Sequence, residues 1–193
     1  MNKYLTVDQF NGSKFIDFGS GKFGFNYDDS QTQYSSITDG GALDFRHSGD
    51  FSVVCWVKTT ATNSDPAKIG DKDWNNDAGK GFVFAFLGEK WKLNAGDGSD
   101  RIDITGNVIN DDEWHLLAAT FNRTNGKATI YQDGVALGNV DMSAIGDMNS
   151  GLPIHLAEDS TGSYGPFTGK LAKIKIFDYA LTAQQMLALF NIK

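Results

Sequence analysis

The stretch EWHLLAATFNRTNGKATIYQDGVALG, residues 113–138, decides the fold. Its apolar runs are separated by Asn125-Gly126 and by Asp133-Gly134. Both pairs tolerate positive φ, as two-residue type I′ hairpin turns require. The stretch therefore predicts strands joined by tight antiparallel turns.

The same texture extends outward in both directions. FSVVCWVKTT places Phe51, Val53, Cys55 and Val57 on one face of a strand. GFVFAFLG is apolar on both faces, as in a central sandwich strand. KWKLNAG alternates Trp91, Leu93 and Ala95 against Lys92 and Asn94. DRIDITG, LPIHLA and LAKIKIFD read as further strands, the last with Ala172, Ile174 and Ile176 on one face and Lys173 and Lys175 on the other. Strands at this spacing with Gly-rich turns predict an all-β antiparallel sandwich of the jelly-roll kind. No amphipathic helix separates them, which excludes a βαβ architecture. One helix is expected, LTAQQMLALF at the C-terminus, where Thr182 and Gln185 form a capping box and Met186, Leu189 and Phe190 share a face. It is expected to cover an end of the sandwich. Residues 1–40 alternate only in part and predict one or two N-terminal edge strands. With no linker or repeat, residues 1–193 read as a single domain.

Composition narrows the function classes. The formal charge of −7 repels phosphate backbones and anionic lipid, so neither nucleic acid nor membrane insertion is expected. No apolar run reaches transmembrane length. Cys55 is the one cysteine, which excludes an intrachain disulfide and a four-cysteine zinc site. MNKYLTVDQFNGSKF lacks the apolar core of a secretory signal, yet the composition suits an extracellular or virion-surface protein. A start at Met1 favours a complete native chain over an excised module.

Catalytic signatures are missing from the sequence. His47, His115 and His155 have no metal-ligand spacing, and there is no G-x-S-x-G elbow, P-loop or dinucleotide fingerprint. Asp97, Asp100 and Asp103 cluster, but a three-residue spacing sends Asp100 and Asp103 to opposite faces of a strand. The E-x-D-x-x-E arrangement of sandwich glucanases is not present. The chain is expected not to be an enzyme.

Two loops are rich in oxygen ligands. IGDKDWNNDAGKG carries Asp71, Asp73, Asn75, Asn76 and Asp77, and HLAEDSTGSYG carries Glu158 and Asp159. Calcium takes six to eight oxygens in irregular geometry, so loops meeting at one rim are able to supply it. Asp, Asn and Gly are also the ordinary residues of turns. Trp74 and Tyr164 lie inside these loops, where an aromatic ring offers a stacking face to a sugar; Trp56, Trp91 and Trp114 lie in strands and are assigned to packing.

DFSVVCWVKTT (50–60), EWHLLAATFN (113–122), ATIYQDGVAL (128–137) and IHLAEDSTGSYGPFTGKLAKIKIFDYALT (154–182) follow one another in an order that resembles the laminin G and pentraxin group of concanavalin A-like sandwiches. The likeness covers Leu43 to Phe190. It rests on an aromatic-rich strand, a Trp-His strand, a Y-x-D-G hairpin and an acidic loop ending in Tyr-Gly. By this resemblance the loop of Glu158 and Asp159 holds calcium, with one or two of Asp73, Asn75, Asn76 and Asp77 completing the site. Two departures limit the implication to one calcium. Leu116 and Leu117 stand where the group has its second cysteine, and the loop after Tyr164 is shorter. The expected function is non-catalytic recognition or adhesion, binding carbohydrate or another surface ligand at a loop rim with that ion, through Trp74 and Tyr164. The alternative is a decorating or adhesive protein in a phage or bacterial surface assembly, with a larger assembly or homo-oligomer as partner. A polysaccharide-degrading enzyme is the third reading.

Overall fold

The computed structural model describes residues 9–11, 14–19, 22–27, 34–37, 41, 43–62, 67–72, 78–158 and 167–192. The chain begins with β1 (Gln9–Asn11), β2 (Lys14–Gly19), β3 (Lys22–Tyr27) and β4 (Tyr34–Ile37). A 3₁₀ turn at Asp44–His47 leads into β5 (Phe51–Lys58), β6 (Ala67–Gly70), β7 (Gly81–Leu87), β8 (Lys90–Gly96) and β9 (Arg101–Val108). Then come β10 (His115–Asn122), β11 (Lys127–Gln132), β12 (Val135–Asp141), β13 (Ile154–Leu156), β14 (Gly169–Phe177) and helix α1 (Ala183–Asn191).

Among the described residues these strands form two seven-stranded sheets. One runs β1-β4-β13-β6-β7-β8-β9 and the other β12-β11-β10-β5-β14-β3-β2. Every pairing is antiparallel. The N-terminal segment supplies four strands, of which β1 and β2 lie at free edges and β3 and β4 lie inside the sheets.

The core lies between the sheets and is built by the alternation read from the sequence. Phe51, Val53, Cys55 and Val57 of β5 face Phe82, Phe84 and Phe86 of β7 and Trp91, Leu93 and Ala95 of β8. Phe51 stacks on Phe121 at 4.2 Å between ring centroids. Burial pushes the Cys55 thiol far above its ordinary pKa, so it is inert packing material. The Trp91 indole N–H donates to Gln132 Oε1 at 2.9 Å, which satisfies the one polar atom of a fully buried ring.

β5 is apolar on both faces because both are covered. Its alternate residues Val54 and Trp56 join Leu116, Ala118 and Tyr131 in a second cluster on the outer face of its sheet, roofed by Met186, Leu189 and Phe190 of α1. Both bonds of the capping box form, Gln185 N–H to Thr182 Oγ1 at 3.2 Å and Thr182 N–H to Gln185 Oε1 at 2.8 Å. The helix thus covers a sheet face, not an end. The reason lies in Trp56, whose ring stacks on Phe190 at 5.7 Å and needs a lid on the solvent side.

Three local expectations change. Asp133-Gly134 forms the two-residue turn with φ of +54° and +81°. Asn125-Gly126 instead closes a longer turn between Asn122 and Lys127, in which Gly126 alone is left-handed and Asn122 Oδ1 accepts from Asn125 N–H at 2.9 Å. In β14 the register shifts between Ala172 and Lys175, with Lys173 at φ +48°. This bulge reverses the pleat, so Ala172 joins the outer cluster while Leu171 and Ile176 enter the core. Trp114 lies just before β10 rather than in it, packed against the outer cluster.

Candidate functional site

The sandwich has two ends, and the two acidic loops leave from different ones. β6 and β13 pair as His155 with Gly70 and Leu156 with Ile69. Asp71 therefore follows β6 at the end where β5 starts, and Glu158 follows β13 at the end where β5 finishes. Asp73, Trp74, Asn75, Asn76, Asp77, Asp159 and Tyr164 lie outside the described residues. Of the expected site residues, Glu158 alone falls within them, largely buried at 8% exposure. Among the described residues no three His, Cys, Asp or Glu side chains converge closely enough to hold a metal ion.

At the Phe51 end, polar groups are consumed internally. Asp71 is fully buried and accepts from the Arg46 guanidinium, from Ser150 Oγ at 2.7 Å and from Phe82 N–H at 3.1 Å. Asp71 thus serves the fold, not a ligand. Arg123 donates to the carbonyls of Ile145 and of Gly146, the latter at 2.6 Å. Asp147 bridges Lys80 at 2.6 Å and His47 at 2.7 Å. Asp97 accepts from the N–H groups of Ser99, Asp100 and Gly146. Together these bonds pin the irregular segment between β12 and β13 across this end. Asp103, from the same cluster as Asp97, pairs with Lys92 and Arg101, each at 2.9 Å.

The Lys58 end is built differently. There β3 finishes, β14 begins and β5 finishes, with Lys170 opposite Asn26 on one side and opposite Lys58 on the other. Phe25, Leu171 and Val57, one residue inward on each strand, point into the core. Period-two alternation therefore sends Asn26, Lys170 and Lys58 to the outer face as a row. This row borders a cleft of about 300 Å³, closed further by Thr60, Asp112 and Thr168.

The cleft is held by bonds to the backbone. Thr59 Oγ1 donates to the Thr168 carbonyl at 2.7 Å and accepts from Ala61 N–H at 2.9 Å. Asp112, left-handed at φ +61°, donates its N–H to the Thr59 carbonyl at 3.2 Å. Lys58 Nζ reaches the Asp112 carbonyl and its carboxylate, the latter at 3.2 Å. Gly169 lies at φ +152°, and a Cβ there would stand 2.6 Å from the Lys58 carbonyl and 2.4 Å from the Phe167 ring. Only glycine lets the chain leave the acidic loop and enter β14 so close to β5.

Beside the cleft, His115 is clamped between two carboxylates. Nδ1 lies 2.8 Å from Asp133 and Nε2 lies 3.0 Å from Asp111. The bond to Asp133 is the main cause that raises the His115 pKa above its ordinary value, and the bond to His115 in turn lowers that of Asp111. The imidazole is thereby a strut between the β9–β10 loop and the β11–β12 turn.

Sequence reading missed the lysine row. LAKIKIFD announces outward lysines, but that Lys170 stands beside Lys58 depends on β14 pairing with β5, more than a hundred residues earlier in the chain.

A two-sheet antiparallel sandwich of this kind is the jelly-roll architecture, which lectin domains share with viral capsid proteins. The chain belongs to the concanavalin A-like lectin/glucanases superfamily, whose laminin G-type family model matches residues 28–186. No curated protein matches the sequence. Solved structures of the same fold include the binding domain of Paraclostridial Mosquitocidal Protein 1, with a TM-score of 0.76 and 15% identity over 97% of this chain and 47% of that one. The binding domain of botulinum neurotoxin DC in complex with rat synaptotagmin II has a TM-score of 0.72 and 14% identity, over 97% of this chain and 46% of that one. The same domain in complex with SialylT gives a TM-score of 0.72 and 14% identity, again over 97% and 46%. At these identities the likeness is one of fold. The chain spans about half the length of each of these structures.

Proposed function

We propose that this chain is a non-catalytic recognition module of an extracellular or virion surface. It binds glycan, or another hydroxyl-rich surface ligand, at the Lys58 end of the sandwich, with one calcium ion held in the loop after β13. The observation that carries the reading is the preorganised cleft of amide, hydroxyl, ammonium and carboxylate groups at that end. Polar groups fixed by secondary-structure ends and backbone bonds are what orient a hydroxylated ligand. Membership of a superfamily that includes lectins supports it, as do similar folds that serve as binding domains, one with a protein and one with SialylT. Those ligands belong to chains of which half has no counterpart here, so neither is assigned to this cleft by position.

Glu158 and Asp159 supply carboxylates for the ion, and loop carbonyls would complete the six to eight oxygens that calcium takes. Asp73, Asn75, Asn76 and Asp77 lie outside the described residues, so the proposal is carried by Glu158 and Asp159.

Thermal unfolding in calcium and in chelator, followed by a glycan array, tests both parts. Calcium at a hundred times its Kd adds about 2.7 kcal/mol, or roughly 5–10 °C for a domain of this size. Glu158→Ala abolishes that shift if the ion sits in this loop. An unchanged Tm removes calcium from the proposal, and an empty array removes the glycan.

A further inference from the structure

The outer face of the Lys58 end sets two like charges side by side, and among the described residues only one of them is paired. Lys58 and Lys170 face each other directly across the β5–β14 pairing, on the same face. Cβ atoms in such a pair lie about 4.5–5.5 Å apart, and like charges there are destabilising. The chain has 24 acidic residues against 17 basic ones, so carboxylates to separate the two lysines are plentiful. One is used: Asp112 takes Lys58. Among the described residues the Lys170 ammonium has neither an ion-pair nor a hydrogen-bond partner, although the residue is only partly exposed. Its other neighbour in the row is Asn26, a neutral amide.

We infer that the cleft beside Lys170 takes the acidic residue of a saccharide, a carboxylate or sulfate set between Lys170 and Lys58. The inference rests on the cleft being the binding site proposed above and specifies its ligand class. An anion there lies between two ammonium groups whose mutual repulsion it cancels. Sugar hydroxyls meet the Asn26 amide, the Thr60 hydroxyl and the carboxylate of Asp112, which is 64% exposed on its side chain. Asp112 is the competitor in this scheme. It holds Lys58 in the free protein and gives up part of that hold when the ligand arrives. The roles of the two lysines therefore differ: Lys170 is committed to the ligand and Lys58 is shared.

The test is isothermal titration of the whole chain with three oligosaccharides of equal length: hexagalacturonate as the carboxylate probe, a heparin-derived hexasaccharide as the sulfate probe, and neutral maltohexaose. At least one acidic probe is expected to bind more tightly than maltohexaose, and more weakly as salt is raised. Lys170→Gln is expected to weaken it about tenfold, the scale of one charge-assisted hydrogen bond. Asp112→Asn is expected to strengthen it severalfold by releasing Lys58, a gain that damage to the fold would not produce. Both variants should keep the parental Tm, since surface substitutions of this kind stay within about 0.5 kcal/mol. Equal affinity for all three probes, unmoved by Lys170→Gln, overturns the inference and leaves a recognition module that reads neutral sugar. Acidic binding that is indifferent to both variants also overturns it, by placing the anion elsewhere. If no saccharide binds at all, here or on the glycan array, the proposed function falls and this inference with it.

Discussion

The two ends of the sandwich are both polar, and they spend their polarity in opposite ways. At the Phe51 end the charged groups that hold the crossing segment meet other parts of the chain. Arg46 and Asp71 are sealed together at 1% and 0% side-chain exposure, and Arg123, Asp97 and Asp147 fasten the crossing segment. At the Lys58 end, the Thr59 hydroxyl and a backbone bond from Asp112 hold the frame, while Asn26, Thr60 and Lys170 line a cleft. The first pattern is that of a closure, in which buried donors and acceptors must be satisfied from within. The second is that of a surface prepared for something outside the chain. Polar content alone does not distinguish them; what matters is where the hydrogen bonds end.

The sharpest way to break this contrast is Asp71→Ala. It leaves the Arg46 charge buried without its carboxylate and is expected to cost about 3–5 kcal/mol, seen as a lower denaturant midpoint. Saccharide affinity at the far end should survive in the folded fraction. A change below about 1 kcal/mol would mean that the Phe51 end is not a closure in the sense argued. Thr59→Val, at the other end, keeps the side-chain shape and removes the bonds to Thr168 and Ala61. The expected loss of stability is smaller, about 1–2 kcal/mol, with a greater loss of ligand affinity because the cleft loses its frame. Proteolysis near Thr168, faster in the variant than in the parent, would report the same loosening.

The smallest effect sharpens the comparison through pH. The His115 pKa is raised in the folded chain, so the stabilisation by its two carboxylates is complete below the unfolded value of about 6.5. It is lost as pH rises through the higher folded value. Exposure of Asp111 limits the effect to at most about 1 kcal/mol. Unfolding measured from pH 5 to 9 should show the parent losing stability relative to His115→Gln as pH rises. Parallel curves would remove the strut.

How far the site was legible follows from the range of the interactions that make it. The turn at Asp133-Gly134 and the cap at Thr182 and Gln185 were readable because each involves neighbours in the chain. The bulge at Lys173 was not, since LAKIKIFD carries a strand alternation that the pairing with β5 interrupts. The helix was found but misplaced, because its amphipathic face does not say what it will cover. Asp71 read as a loop oxygen and proved to be the partner of an arginine twenty-five residues earlier.

Local patterning by itself determined that this chain would be strands, tight turns and one capped helix, since φ preference, period-two burial and capping act over a few residues. The superfamily came instead from the resemblance of four motif stretches taken in order, and the family model over residues 28–186 shows it. Tertiary structure alone decided at which ends β6 and β13 finish, that Lys58 would stand against Lys170, and that Asp71 would be closed off while Asp112 stayed open. These depend on pairings between strands far apart in the sequence, and on the burial that turns one carboxylate into structure and leaves another facing solvent.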